Sequence, residues 1–235
     1  MRKAIIALFD IDGTLLRAGG AGRRSVELAI GEVLNGGKRE VSLSSVEFAG
    51  RTDPWIITTA LTQLGVDPDE RLIGEVLRRY VAHLPRELEL ASAFEVLPGV
   101  LSLLSELSKR QQMFMGLGTG NTEPAAYAKL ARGGLDSFFD FGGFGSDHHD
   151  RSELLRAALE RGLERSGSMR SEAHVVVIGD TPHDAAAAQS IGASCIGVST
   201  GGYAAEALLD AGATIVVSDL EAPEVREALA GDGID

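Results

Sequence analysis

Five apolar segments constrain what this chain can fold into. Residues Ala4 to Phe9, Met113 to Leu117, Val175 to Ile178, Cys195 to Val198 and Ile215 to Val217 are continuous apolar runs, with a weaker sixth near Phe139 to Gly142. Continuous rather than alternating runs mark strands buried on both faces, and therefore a parallel sheet with helices packed on each side. The expected class is α/β, a doubly wound parallel sheet. One interval is too long for a simple crossover. From about Arg17 to Phe94, "GRRSVELAIGEVL", "PWIITTALTQLG" and "DERLIGEVLRRYVAHLPRELEL" place apolar residues three and four apart, the period of helices. This predicts an inserted helical domain over residues 17–95, with residues 1–16 and 96–235 forming the α/β unit. Pro98 and Gly99 mark re-entry, "GVLSLLSELSKRQ" reads as the helix leading to the second strand, and the polar tail after Pro223 is expected to fray.

The chain has 235 residues, 44% of them hydrophobic and 5% aromatic, enough for one sizeable core or a core with a smaller attached domain. Its one cysteine, Cys195, excludes an intramolecular disulfide and reads as a small buried apolar side chain. The net charge of −12 gives a surface field that repels nucleic acid and anionic membranes. An acidic protein that handles anions must do so locally, through a metal ion or a few placed cations. The start, "MRKAIIALFD", has the charges of a signal peptide, but Asp10 cuts its apolar run too short for one. No run approaches the ~18 consecutive apolar residues of a membrane span. The expectation is a cytoplasmic protein.

In a doubly wound sheet, ligands bind at the carboxyl ends of the strands. Here strand one ends in Asp10, Ile11 and Asp12, the strand from Met113 in "GLGTGNT", and the strand from Val175 in "GDTPHD". Each acid alone has an ordinary explanation as a turn former or helix cap. Thr181 and Asp184 have capping-box spacing around Pro182. Capping does not explain why Asp10, Asp12 and Asp180 share one rim with no basic cluster among them. Gathered carboxylates repel, and one must protonate unless a cation sits there. Hard carboxylate oxygens with water and backbone carbonyls suit magnesium, which keeps positions open for phosphate oxygens.

"DIDGTL", "GTGN" and "GDTPHDAAAA", in that order and spacing, resemble the haloacid dehalogenase superfamily, in the phosphatase branch with a helical cap inserted after the first strand. The likeness spans the whole chain. Within that branch it is most similar to phosphoglycolate phosphatase-like proteins. The resemblance implies a Rossmann-like core and a phosphomonoester hydrolase of small phosphorylated metabolites, with 2-phosphoglycolate as the leading substrate. It implies that Asp10 attacks phosphorus and becomes an aspartyl phosphate, and that Asp12 protonates the leaving alkoxide and then activates water. Strand alternation alone would send residues 10 and 12 to one side. Gly13 would let the chain turn beside the phosphate and Thr14 would brace that turn. Thr119 and the N–H groups of Gly120 and Asn121 would hold phosphoryl oxygens. Mg2+ would be held by Asp10, the Asp12 backbone carbonyl and Asp180, with Asp184 as ligand or neighbour.

One element departs from the family pattern. A lysine is expected at the start of the helix before "VVVIGD", where its charge stabilises the transition state. The region instead reads "FGSDHHDRSELLRAALERG". Asp150 and Glu153 have capping-box spacing, which puts Arg151 in the first helical turn and makes it the nominated replacement, with His148 or His149 as rivals. Lys129, mid-helix after "GTGN", is expected on a solvent face. In the insert, "FAGRTDPWII" forms a polar turn before a helix, and in capped relatives the corresponding loop leans over the active site. Arg51 could recognise a second anionic group on the substrate, with Thr52 beside it; equally, Thr52 or Asp53 could only cap the helix from Pro54. Trp55 reads as packing within the insert, and "GGAGRR" as a hinge.

Three alternatives remain beside a phosphatase. A dehalogenase needs neither magnesium nor an acid at Asp12, so the D-x-D form argues against it. A phosphotransferase of the β-phosphoglucomutase type shares every core motif and differs in whether water or a sugar hydroxyl accepts the phosphoryl group. A non-catalytic binding protein on this scaffold would be expected to have lost Asp10 or Asp12, and both are present. Oligomeric state is not readable from the sequence.

Overall fold

The computed structural model describes residues 3–37 and 40–230. Its centre is a six-stranded, all-parallel sheet built from β1 (Ala4–Phe9), β4 (Met113–Thr119), β5 (Gly142–Phe144), β6 (Ala173–Gly179), β7 (Ser194–Val198) and β8 (Ile215–Val217), in the order β5-β4-β1-β6-β7-β8. β1 lies between β4 and β6, pairing Phe9 with Leu117 on one side and with Ile178 on the other. The chain winds outward from it in both directions, so the crevice where strand order reverses opens at the end of β1.

β1 is buried along its whole length, and its pleat explains why its sequence does not alternate. Ile5, Ala7 and Phe9 enter the core on one face, with α4 (Val100–Leu107), α5 (Glu123–Gly133) and α9 (Pro223–Ala228). Ile6 and Leu8 enter the core on the other, with α6 (Arg151–Ser166), α7 (Pro182–Ser190) and α8 (Ala205–Asp210). Period two is still present, but both phases are apolar because both faces are covered. Cys195 on β7 is buried, and burial pushes its thiol up to about 12, so it is inert filling.

Between β1 and the re-entry at Pro98 stand, among the described residues, three helices, α1 (Ala21–Asn35), α2 (Asp53–Gln63) and α3 (Glu70–Leu90). α3 buries Val76, Tyr80, Leu84 and Leu88, a stripe at four-residue spacing. The block is entered and left through an antiparallel ribbon, β2 (Leu16–Ala18) against β3 (Phe94–Val96). The expected boundaries near residues 16 and 96 thus fall within paired strands. Only Gly19 and Gly20 of the "GGAGRR" hinge stay outside α1, both with left-handed backbone.

Two expectations need correction. The sixth strand is Gly142–Phe144, shifted from Phe139 to Gly142, because this edge strand is short and takes its register from Leu117–Thr119 of β4. The tail after Pro223 does not fray at once: it forms α9, anchored by buried Val225 and Leu229. Its last residues, 231–235, lie outside the described ones. No helix among the described residues is long and apolar enough to cross a membrane.

Candidate active site

At the end of β1, the Asp10 N–H still bonds to the Ile178 carbonyl (2.9 Å), which aims its side chain at the crevice floor. The chain then reverses through Gly13, whose φ of +87° only glycine adopts readily. Thr14, fully buried, donates its hydroxyl to Asp180 Oδ1 (2.9 Å). Asp180 follows β6, and the next helix, α7, opens with a complete capping box. The Thr181 hydroxyl donates to Asp184 Oδ2 (2.7 Å), and the Asp184 N–H returns to Thr181 Oγ1 (3.3 Å). Capping therefore uses one oxygen of Asp184 and leaves Oδ1 to Arg151.

Asp10, Asp180 and Asp184 are all buried, and one oxygen of each lies within 4.8 Å of the others. Burial pushes the Asp180 carboxyl up to about 8, helped by the charges of Asp10 and Asp184. Asp10 is raised to about 6 by burial, against the opposing pull of Arg151. Among the described residues one cation contacts these three buried acids, so the cluster is under-neutralised and could hold a divalent ion.

That one cation is Arg151. Asp150 caps α6 by accepting from the N–H groups of Ser152 (2.8 Å) and Glu153 (3.3 Å), and this sets Arg151 at the first helical position with its side chain turned inward. Its Nη2 lies 2.8 Å from Asp10 Oδ1, donates to Asp184 Oδ1, and reaches the Gly118 carbonyl at 3.0 Å. Burial works against its charge, but the two carboxylates outweigh burial and hold it protonated. His148 and His149 are exposed, and His148 Nδ1 accepts the Asp150 N–H (2.9 Å) at the helix start. Neither stands where Arg151 does.

The third wall comes from β4 and α5. Thr119, fully buried, accepts the Asn121 side-chain amide (2.8 Å). The same amide nitrogen gives its other hydrogen to Asp12 Oδ2 (2.8 Å). Lys129 does not lie on a solvent face. It is buried, and its Nζ donates to Asp12 Oδ2 and to Asn121 Oδ1, both at 2.6 Å. The helical insert covers the face of α5 that would otherwise meet water.

Several contacts seat the insert on the rim. The Asp53 N–H donates to the Gly120 carbonyl (2.8 Å), and the Asp53 carboxylate accepts the Thr122 N–H (2.7 Å). A Cβ on Gly120 would stand 2.3 Å from the Arg51 carbonyl oxygen, so glycine is what admits this loop. Thr52 caps α2 through the Trp55 N–H (3.4 Å), and Asp53, which could have been only a cap, ties insert to core. Arg51 pairs with Glu47 through Nε (3.1 Å) and Nη2 (2.8 Å) and lies 4.4 Å over the Trp55 ring.

The space between rim and insert is an open cleft of about 550 Å3. Asp10, Asp12, Gly13, Thr119, Gly120, Asn121, Asp180, Arg51 and Arg151 line it, whereas Thr14, Thr52 and Asp184 stand behind the lining. Lys129, Tyr80 and the Thr200–Gly201 turn also line it, in addition to the residues expected from the sequence. Of these only Thr200 and Gly201 carried a signal, since "STGG" directly follows a strand. A Cβ on Gly201 would lie 1.6 Å from Asp180 Oδ2, so this turn presses on that carboxylate.

The fold recurs in solved structures. A predicted phosphatase from Clostridium acetobutylicum is 22% identical with a TM-score of 0.69, over 97% of this chain and 98% of that one. A predicted phosphoglycolate phosphatase from Haemophilus somnus is 17% identical with a TM-score of 0.66, over 94% and 96%. A protein assigned as a beta-phosphoglucomutase from Bacteroides vulgatus is 20% identical with a TM-score of 0.67, over 97% and 91%. No curated protein matches the sequence significantly. The model of the haloacid dehalogenase-like hydrolases matches residues 6–192, a span that runs from β1 through the capping box of Asp184 and contains every acid on the crevice floor, and the chain belongs to that family.

Proposed function

We propose that this hydrolase is a magnesium-dependent phosphomonoesterase acting on a small phosphorylated metabolite in the cytoplasm. The observation that carries the reading is the crevice floor: Asp10, Asp180 and Asp184 with oxygens within 4.8 Å of one another, and Arg151 2.8 Å from Asp10. All the donors are hard oxygens, and the raised Asp10 and Asp180 carboxyls mark charge that a divalent ion would relieve, so the site fits magnesium. Asp10, Asp180, Asp184 and the Asp12 backbone carbonyl would hold it, and when bound it neutralises the repulsion between the Asp10 carboxylate and a phosphate.

The chain's own groups then divide the work. A carboxylate oxygen of Asp10 attacks phosphorus, and the ester P–O bond breaks with its electron pair passing to the leaving oxygen. Asp12 gives that oxygen its proton, so an alcohol departs and an aspartyl phosphate remains. Asp12, now a carboxylate, takes a proton from water as the water attacks phosphorus, and Asp10 is released. Arg151 fills the place of the family's lysine, and its guanidinium faces the charge that develops on the phosphoryl oxygens. Thr119 and the N–H groups of Gly120 and Asn121 close the other side of the phosphate.

The decisive experiment is release of inorganic phosphate from a panel of small esters, with and without Mg2+, by the native protein and by Asp10→Asn. Magnesium-dependent release that Asp10→Asn abolishes is expected; release without magnesium, or full activity in Asp10→Asn, would reject the reading. 2-Phosphoglycolate leads the panel, because Arg51 could exchange Glu47 for its carboxylate. A volume of about 550 Å3 also accommodates sugar phosphates, so hexose phosphates belong in the panel. Formation of a sugar bisphosphate in place of free phosphate would make the protein a phosphotransferase.

A further inference from the structure

Lysine is almost never buried without a reason, because its ammonium must leave water. Lys129 is 5% exposed on a helix whose other inward positions are Ala125, Ala126 and Leu130. An apolar residue there would serve the core as well or better, since a buried ion pair rarely outperforms packed hydrocarbon. The geometry supplies another use. Both side-chain hydrogen bonds of Asp12 fall on one oxygen: Oδ2 receives Lys129 Nζ at 2.6 Å and Asn121 Nδ2 at 2.8 Å. Lys129 also holds the Asn121 carbonyl oxygen at 2.6 Å, so the three side chains form a closed triangle. The Asp12 side chain remains 43% exposed, toward the cavity it lines. Two donors on one oxygen fix the carboxyl plane and leave the other oxygen to the substrate.

The insert completes this arrangement. Gly22 of α1 packs over the ammonium, where a Cβ would be 3.7 Å from Nζ. Asp53 of α2 holds the Thr122 N–H (2.7 Å) at the start of the helix that carries Lys129.

We propose that Lys129 is a positioning residue: with Asn121 it locks the Asp12 carboxyl group in the orientation from which its free oxygen meets the ester oxygen that leaves. The proposal rests on the reading of Asp12 as proton donor. It concerns one bond in the sequence of events, the O–H that forms on the departing alcohol as the P–O bond breaks. An ester whose leaving group is a good one, such as p-nitrophenyl phosphate, needs that proton little. The alkoxide of an alkyl phosphate, a poor leaving group, depends on it.

The test compares native protein and Lys129→Met on p-nitrophenyl phosphate and on the alkyl phosphate that the native protein hydrolyses fastest. Thermal unfolding verifies that the variant is folded. The expected result is a fall in kcat/KM of about 10²-fold on the alkyl ester, within the range of a positioned general acid, with a fall below about threefold on p-nitrophenyl phosphate; kcat/KM reports the steps through loss of the alcohol, so the later attack of water, common to both esters, does not enter it. Equal losses in kcat/KM on the two esters, or no loss on either, would overturn the proposal. Should Lys129→Met not fold, Lys129→Gln carries the same comparison with the same two readings. Native protein inactive on both esters would instead reject the phosphatase reading, and the role of Lys129 with it.

Discussion

Arg151 and Asp10 form a buried ion pair at 2.8 Å, and the same guanidinium nitrogen also donates to Asp184. An arginine in this position offers a planar fork where the family pattern has a point charge. Arg151→Ala should lower kcat by about 10²- to 10³-fold, the loss seen when one transition-state donor is removed. Arg151→Lys should recover a large part of it. Steady-state phosphate release on one ester measures both, and an alanine variant within about tenfold of native would assign the transition-state charge elsewhere.

Metal removal should show in stability as well as in turnover. Without metal, Asp180 is raised to about 8 and Asp10 to about 6, both above their ordinary 3.8. A carboxyl raised on folding contributes stability below its unfolded pKa and loses it as pH rises through the folded value. In EDTA the melting temperature should therefore fall as pH rises from 4 through about 8. Magnesium at about 100 times its Kd should add about 2.7 kcal/mol, or roughly 5–10 °C for a chain this size, with the largest gain at the alkaline end. A melting temperature indifferent to Mg2+ across this range would contradict the metal assignment.

Asp53 makes a separable prediction about the junction with the insert. Burial raises its carboxyl to about 6 from 3.8, and Lys129 only partly offsets this. Its contribution is complete below pH 3.8 and disappears as pH climbs through about 6. At about 1.4 kcal/mol per pKa unit, the native protein should lose about 3 kcal/mol between pH 4 and pH 7 that Asp53→Asn does not lose. Urea unfolding of both proteins at several pH values reads the difference, and parallel curves would rule it out.

Gly201 gives a steric test of the floor. A methyl group there would meet Asp180 Oδ2 at 1.6 Å, so Gly201→Ala must push that carboxylate aside. The Mg2+ concentration for half-activation should rise by about 10-fold or more, the usual cost of disturbing a ligand through its neighbour. Gly74→Ala is the control, since its new Cβ finds only the flexible end of Arg78 at 3.9 Å. It should leave metal activation unchanged.

The strand ends were legible in the sequence because acids and glycines interrupt apolar runs there, and because a parallel sheet gathers such ends on one rim. Asp10, Asp180 and the Thr181–Asp184 box stand where that logic puts them. Lys129 was misread because helical period reports which face is apolar and not what lies over the polar one. The cover comes from the insert, from Gly22 of α1 and from α3, more than 35 residues away in sequence. Tyr80 gave no signal beyond its place in an apolar stripe. The ribbon of Leu16–Ala18 with Phe94–Val96 also escaped, being two three-residue strands with no turn between them.

That ribbon places Ala18 directly opposite Phe94, so the two ends of the helical block stand one strand spacing apart, about 5 Å. To the sheet, the whole block is equivalent to a tight hairpin loop, and local pairing of the ribbon offsets part of the entropy of closing it. A block joined in this way is an exchangeable cassette. The helices beyond the Gly22 and Asp53 contacts can change in length and lining while Asp10 and Asp180 keep their positions.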